Sequence, residues 1–452
     1  MQRQLLKTLV ASATVLLSSL VCAAAAPDDV ARMDQIAQES VKSGAFMGTV
    51  LVARGDQVVF SKAYGAANLE KKTPNTLETR FRIGSLTKQF TAAAILVLEQ
   101  RGKLATGDLV KKHVPDAPAE WDQITIAHLL THTSGIPNFT SFPEYAQFSR
   151  QPNTPRQLVD RFRDQPLEFA PGAQMRYSNS GYALLGYIVE QAGGTPYAKF
   201  LDENVFKALG MKNSGYETSE PPIPNLAQGY SPEASGPVVA QPIDMTVPFA
   251  AGGLYSTVAD LLRWERALFG NELLSAASVH KMTTPAKNDY AFGLAIHTRA
   301  GARVIEHNGG INGFNSKLAF YPEDKVTVIA LSNINGNGAD QIVDSIGAFT
   351  HGEAVVLASE RKEVPLPVEV LKQYVGTYEM KPGFDFVMDV KDGQLTISPT
   401  GQSTDVLYAE SKDHFFSKRI DARIEFGRDG SGAVTHLVLH QGAFNGKALK
   451  KK

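Results

Sequence analysis

One cysteine in 452 residues, Cys22, sets the first limit on what this chain can be. It lies in an N-terminal stretch that reads as a secretory leader. Removal of that leader leaves a mature protein with no disulfide, no thiolate nucleophile and no cysteine-ligated metal. G-x-S-x-G is absent, which argues against an α/β-hydrolase. The apolar run at residues 9–21 is too short to span a bilayer. Neither sign of charge is in excess: 45 basic against 46 acidic residues give a formal net charge of -1, with no electrostatic footprint for nucleic acid. What is present, 43% hydrophobic and 20% charged residues, is ordinary for a soluble globular protein long enough to build two domains.

The leader reading rests on Arg3 and Lys7, the apolar run after them, and the small residues 23–26 as a cleavage zone. It predicts a signal peptide over residues 1–26, a periplasmic or secreted mature protein and no stable membrane span. Val21 is too large for the small residue that precedes a lipidated cysteine, which counts against an anchor on Cys22.

Beyond the leader, residues 28–41 carry helical periodicity. Two β-rich runs, residues 49–53 and 57–64, are turned by Arg54-Gly55-Asp56 and predict a hairpin. Residues 85–285 read as mostly helical, with a helix start at Thr154-Pro155 and a stop at Gly193-Gly194. Residues 220–248 are proline-rich and are expected to form a long surface loop near the cleft. Strands return at residues 292–298, 303–306, 317–321 and 325–331, before a closing helix at 339–349. Strand pairs at both ends around a helical middle predict an α/β (α+β) fold, one antiparallel sheet flanked by helices with an inserted all-helical lobe. The hydrolase-like domain is expected over residues 27–355 and a charged, proline-broken linker over 356–370. Residues 371–452 hold seven short β-rich runs, which predict a small antiparallel β-barrel.

Three motifs carry chemistry: Ser85-Leu86-Thr87-Lys88, Tyr177-Ser178-Asn179 and His307-Asn308-Gly309-Gly310. S-x-x-K also occurs at Ser278/Lys281 and Ser359/Lys362, but only Ser85 opens a long apolar helix, where positions i and i+3 share a face. Serine needs a base beside it to become a nucleophile. His128 and His132 have metal-ligand spacing, yet the H-E-x-x-H glutamate is missing, so capping and packing roles are expected. No metal or cofactor is expected.

These residues, with Phe81-Arg82-Ile83-Gly84 before Ser85, His128-Leu129-Leu130-Thr131-His132-Thr133-Ser134-Gly135, Pro171-Gly172, Leu209-Gly210-Met211 and Gly252-Gly253-Leu254-Tyr255-Ser256-Thr257, resemble the serine beta-lactamase and penicillin-binding protein superfamily. The resemblance is to its branch of class C beta-lactamases, D-Ala-D-Ala carboxypeptidases and related esterases, and Tyr374-Val375-Gly376-Thr377-Tyr378 resembles the opening of an appended lipocalin-like domain. It implies catalysis by Ser85, Lys88 and Tyr177, with either Lys88 or Tyr177 as base. It further implies an oxyanion hole from the backbone N–H groups of Ser85 and Gly310, and substrate contacts from Asn179, His307 and Gly309. His307 stands where class C enzymes carry lysine, a weaker clamp for a substrate carboxylate. The expected activity is acyl-enzyme hydrolysis of D-amino-acid-containing peptides or small amides and esters, with cell-wall peptide among the expected partners. A class C-like beta-lactamase and a non-turnover penicillin-binding module are the alternatives.

Overall fold

The computed structural model describes residues 27–218, 221–420, 422–441 and 444–451; the expected leader, with Cys22, lies outside them. Helix α1 (Pro27–Lys42) is followed by the hairpin β1 (Gly48–Arg54) and β2 (Gln57–Tyr64). Next come α2 (Thr87–Gln100), α3 (Asn179–Gly193) and α4 (Val258–Phe269) within the lobe, then β3 (Ala295–Arg299), β4 (Ala302–Ile311), β5 (Phe314–Tyr321), β6 (Val326–Ser332) and α5 (Gly338–Thr350). The sheet order is β3-β4-β5-β6-β1-β2, so β1 pairs antiparallel with β6 (Leu51 opposite Ile329) and closes one sheet from both ends of the domain.

Both faces of this sheet are covered, which is why β1 and β6 are almost wholly apolar rather than alternating. Val50 and Val52 pack with Met33, Ile36, Ile342 and Ile346 of α1 and α5 on one face. Leu51, Ile329 and Leu331 belong to the larger core shared with α2 and α3 on the other. Helix α2 is buried on nearly every side, from Thr87 to Leu98. Its apolar run therefore reflects a central position in the lobe. The proline-rich stretch is less irregular than its composition implies, since Tyr230–Glu233 and Gly236–Val239 pair as a small hairpin.

The C-terminal region is a closed barrel of β7 (Gly376–Lys381), β8 (Phe384–Lys391), β9 (Gln394–Pro399), β10 (Asp405–Ala409), β11 (His414–Ser417), β12 (Arg423–Arg428), β13 (Val434–Gln441) and β14 (Phe444–Lys450). That is one strand more than the seven β-rich runs. The eighth, β14, pairs with β13 and closes the circle on β7; Asn445-Gly446-Lys447 breaks the apolar pattern that would have marked it. The segment before the barrel is docked, not free: Arg32 of α1 pairs with Glu360, and Ser359 Oγ donates to Glu39 at 2.8 Å. Among the described residues no helix is long and apolar enough to cross a membrane.

Candidate active site

Ser85 sits in a 3₁₀ turn, Gly84–Leu86, that leads straight into α2. This turn lies against β4. Strand β4 pairs with β3 only as far as Glu306, whereas its pairing with β5 continues to Ile311. Residues 307–311 therefore present a strand edge on which the serine turn rests. Glycine is required on both sides of the contact. Gly84 has φ +49°, and a Cβ there would lie 2.9 Å from the Gly310 nitrogen; a Cβ on Gly309 would lie 2.1 Å from Ile83 O and 3.0 Å from the Ser85 nitrogen. The Ser85 and Gly310 amides are thus neighbours at a helix N-terminus, an arrangement suited to a developing oxyanion.

Three residues after Ser85, at the start of α2, Lys88 is fully buried. Its Nζ lies 3.1 Å from Ser85 Oγ, 2.9 Å from Asn179 Oδ1 and 2.8 Å from Ala251 O. Burial alone acts on its titration and pushes the ammonium well below the ordinary lysine range. A neutral amine fits the three partners: two N–H groups donate to Asn179 and Ala251, and the lone pair faces the Ser85 hydroxyl. Asn179 is itself held, its backbone N–H donating to Asn138 Oδ1 at 3.0 Å and its Nδ2 to Thr140 Oγ1 at 3.3 Å. Tyr177 hydrogen-bonds Ser85, and burial raises its phenol above the ordinary tyrosine value. Burial favours the uncharged form of both, Lys88 as acceptor and Tyr177 as donor.

Two of the three residues expected at the substrate, His307 and Gly309, do not line the cavity that reaches Ser85. Gly309 is the packing point under the serine turn. His307 is 5% exposed, with Tyr290 Oη 2.9 Å from Nε2 and Asn308 O 2.5 Å from Nδ1. Burial, then the proximity of Lys88, pushes its imidazole down to about 4. A neutral ring with both nitrogens engaged is no clamp for a carboxylate. The cavity that does reach Ser85, about 200 Å³, is lined by Asn179, Tyr145, Ile243, Gly310 and Ile311 among others, and no charged side chain lines it among the described residues. Ile243 belongs to the proline-rich stretch, which is therefore a wall of the site.

Sequence reasoning missed the aromatic support behind Tyr177. His132, at φ +57°, accepts the Ser178 N–H through Nδ1 at 3.2 Å and the Arg176 N–H through its carbonyl at 2.9 Å. Its ring packs 4.3 Å from that of Tyr177 and 4.7 Å from that of Tyr290. Nothing local marks Tyr290, and only the fold brings it to His307. His128 caps its own short helix through a reciprocal box with Thr125. Of the other serine-lysine pairs, Ser278 Oγ donates to Gln100 and Ser359 Oγ to Glu39. Among the described residues no cluster of three or more His, Cys, Asp or Glu side chains is suited to hold a metal.

The family described as Beta-lactamase matches residues 33–351, and a domain of unknown function (DUF3471) matches residues 360–452. Penicillin-binding protein 4* of Bacillus subtilis is 26% identical over 433 residues, 90% of this chain and 95% of its own length. The octameric penicillin-binding protein homologue from Pyrococcus abyssi superposes with a TM-score of 0.67 at 26% identity, covering 93% of this chain and all of that one. A D-amino acid amidase from Ochrobactrum anthropi gives a TM-score of 0.64 at 25% identity, covering 72% of this chain and all of its own.

Proposed function

Because the chain belongs to the beta-lactamase family and is a serine hydrolase of that fold, we propose that it hydrolyses small amides and esters through an acyl-enzyme on Ser85, derivatives of D-amino acids among them. The observation that carries this reading is the buried, carboxylate-free Lys88 amine 3.1 Å from Ser85 Oγ. Lys88 takes the hydroxyl proton as Ser85 attacks the carbonyl. The Ser85 and Gly310 amides hold the oxyanion, and Tyr177, hydrogen-bonded to the Ser85 side chain, hands its proton to the leaving group. Water entering after the leaving group departs attacks the acyl carbon and gives its proton to the Tyr177 phenolate, and Lys88 returns its proton to Ser85 Oγ as the acid is released.

The uncharged lining of the catalytic cavity and the neutral His307 favour substrates that carry no carboxylate beside the scissile bond. That places neutral amides and esters ahead of D-Ala-D-Ala peptides and beta-lactams. The amidase relative supports the D-amino-acid part of the reading. Parallel turnover of a D-amino-acid amide, a short p-nitrophenyl ester, a D-Ala-D-Ala peptide and nitrocefin tests it. The first two should be preferred, with turnover and fluorophosphonate labelling both abolished in Ser85→Ala. Preference for nitrocefin, or labelling that survives the substitution, would overturn it.

The reading includes export, supported by Arg3, Lys7 and the short apolar run that follows. N-terminal sequencing of protein recovered outside the cytoplasm should begin near residue 27; an intact Met1 there would contradict it.

A further inference from the structure

The cavity beside Ser85 has one wall built from two distant stretches of chain. Ile243 comes from the proline-rich stretch, whereas Ile311 ends β4 and Asn312 begins the two-residue turn to β5. The turn needs Gly313, at φ +81°, where a Cβ would also lie 2.5 Å from Gly229 Cα of the proline-rich stretch. The two stretches therefore touch backbone to backbone.

Both are tied to one short segment, residues 333–335, between β6 and α5. Asn335 closes the turn from the side: the Gly313 N–H donates to its Oδ1 at 2.7 Å, and its Nδ2 donates to Ile311 O at 2.9 Å and to Asn315 Oδ1 at 3.1 Å. One carboxamide thus commits its acceptor and both its N–H groups to a single turn. Its backbone N–H donates to Tyr230 O at 2.9 Å, and the Tyr230 N–H donates to Asn333 O at 3.0 Å, so the base of the proline-rich hairpin hangs on the same segment. Asn312 Nδ2 completes the wall by donating to Gln241 O at 2.9 Å, two residues before Ile243. Asn335 itself does not line the cavity.

We propose that Asn335 is a positioning residue for substrate selection: without touching the substrate, it holds the turn Ile311–Phe314 and the proline-rich hairpin as one fixed wall and so sets the width of the cavity beside Ser85. The proposal rests on the reading of Ser85 as the acylated residue. Gly310, the oxyanion donor, has supports of its own, its pairing opposite Asn315 and the packing of Gly84 against it. Loosening the wall therefore changes which acyl groups fit more than it changes the chemistry at Ser85.

Asn335→Asp is the sharpest test, because a carboxylate still accepts from Gly313 but has no N–H for Ile311 O or Asn315 Oδ1. Asn335→Ala removes all three side-chain bonds. In each variant kcat/KM for p-nitrophenyl octanoate relative to p-nitrophenyl acetate should rise at least about fivefold, carried by KM, while kcat for the acetate and the rate of fluorophosphonate labelling stay within about threefold of wild type. A merely structural asparagine would lower the melting temperature and leave that ratio where it was. An unchanged ratio in a folded variant, an equal loss on both esters, or failure of both variants to fold overturns the proposal and leaves the Ser85 reading standing. A wild type that turns over neither ester and takes up no fluorophosphonate overturns both.

Discussion

Lys88 and Lys317 are buried almost equally, 0% and 5% exposed, on opposite sides of the same sheet. Their ammonium groups shift in opposite directions. For Lys88 burial acts unopposed and the value falls. For Lys317 burial pulls the same way, but Asp344 at 2.6 Å and Glu306 at 3.2 Å outweigh it and the value rises. Burial alone does not decide the protonation state of a buried lysine; the presence of carboxylates does. The lobe side of the domain withholds them and so keeps a base. The α5 side supplies Glu306, Asp340 and Asp344, with Arg299 as a second cation, and so keeps an ion cluster that ties β4 and β5 to α5.

Removing the proton acceptor should break the comparison most visibly. Lys88→Arg retains a cation in the same place, but guanidinium is not deprotonated in a protein. Turnover should fall at least about a hundredfold, the lower end of general-base effects, with the urea midpoint little changed. An arginine variant that kept most of its activity would leave Tyr177 as the base.

Lys317→Met should do the reverse. It leaves Glu306 and Asp344 to Arg299 and removes the cation beside Asp340, and breaking a buried pair costs about 3 kcal/mol or more. Urea unfolding should register that loss while turnover per folded molecule stays within severalfold of wild type. The pH dependences differ in sign as well. Lys317 is raised in the folded state, so its stabilisation is complete below the unfolded value of about 10.4 and disappears as pH rises through its folded value. Lys88 is depressed, so the active neutral form grows as pH rises through a value well below 10.4, giving kcat/KM an acid limb.

A smaller effect is expected from His132→Phe, which keeps a ring against Tyr177 but orphans the Ser178 N–H. An unpaired buried donor costs about 1–3 kcal/mol, and misplacement of Tyr177 should lower kcat about tenfold with KM little changed. A KM effect without a kcat effect would assign His132 to substrate binding. The smallest is expected at His307, already neutral above about pH 5. His307→Gln should hold ester turnover within about tenfold, since no general-base term is lost, and leave the acid limb in place. A limb that moved with the substitution would make His307 the titrating group.

Much of this contrast was legible in the sequence on one side only. Ser85 and Lys88 are three residues apart across a 3₁₀ turn that runs straight into α2, so helical periodicity brings them together, and the hairpin, the closing helix and most barrel strands follow from local pattern. Lys317 gave no such signal, because its partners are Glu306 across a strand pair and Asp344 one helix later. Tyr290 and His132 meet across 158 positions through rings alone. The direction His307 faces was not legible for a related reason. Strand alternation turns it inward to Tyr290 while Gly310 remains in the cavity lining, and a motif read as a string does not record which face each residue takes. The eighth barrel strand escaped because closing a barrel is a property of pairing with β7, not of its own composition.

Titration of the lysine side-chain nitrogens by ¹⁵N NMR in the unliganded full chain tests the central claim most directly, with the Lys88 and Lys317 signals identified by their loss in Lys88→Arg and Lys317→Met. The account predicts a Lys88 midpoint far below the ordinary lysine value of about 10.4, coinciding with the acid limb of kcat/KM, and a Lys317 midpoint above it. A Lys88 signal that stays protonated up to the ordinary value while the enzyme turns over at neutral pH would contradict it.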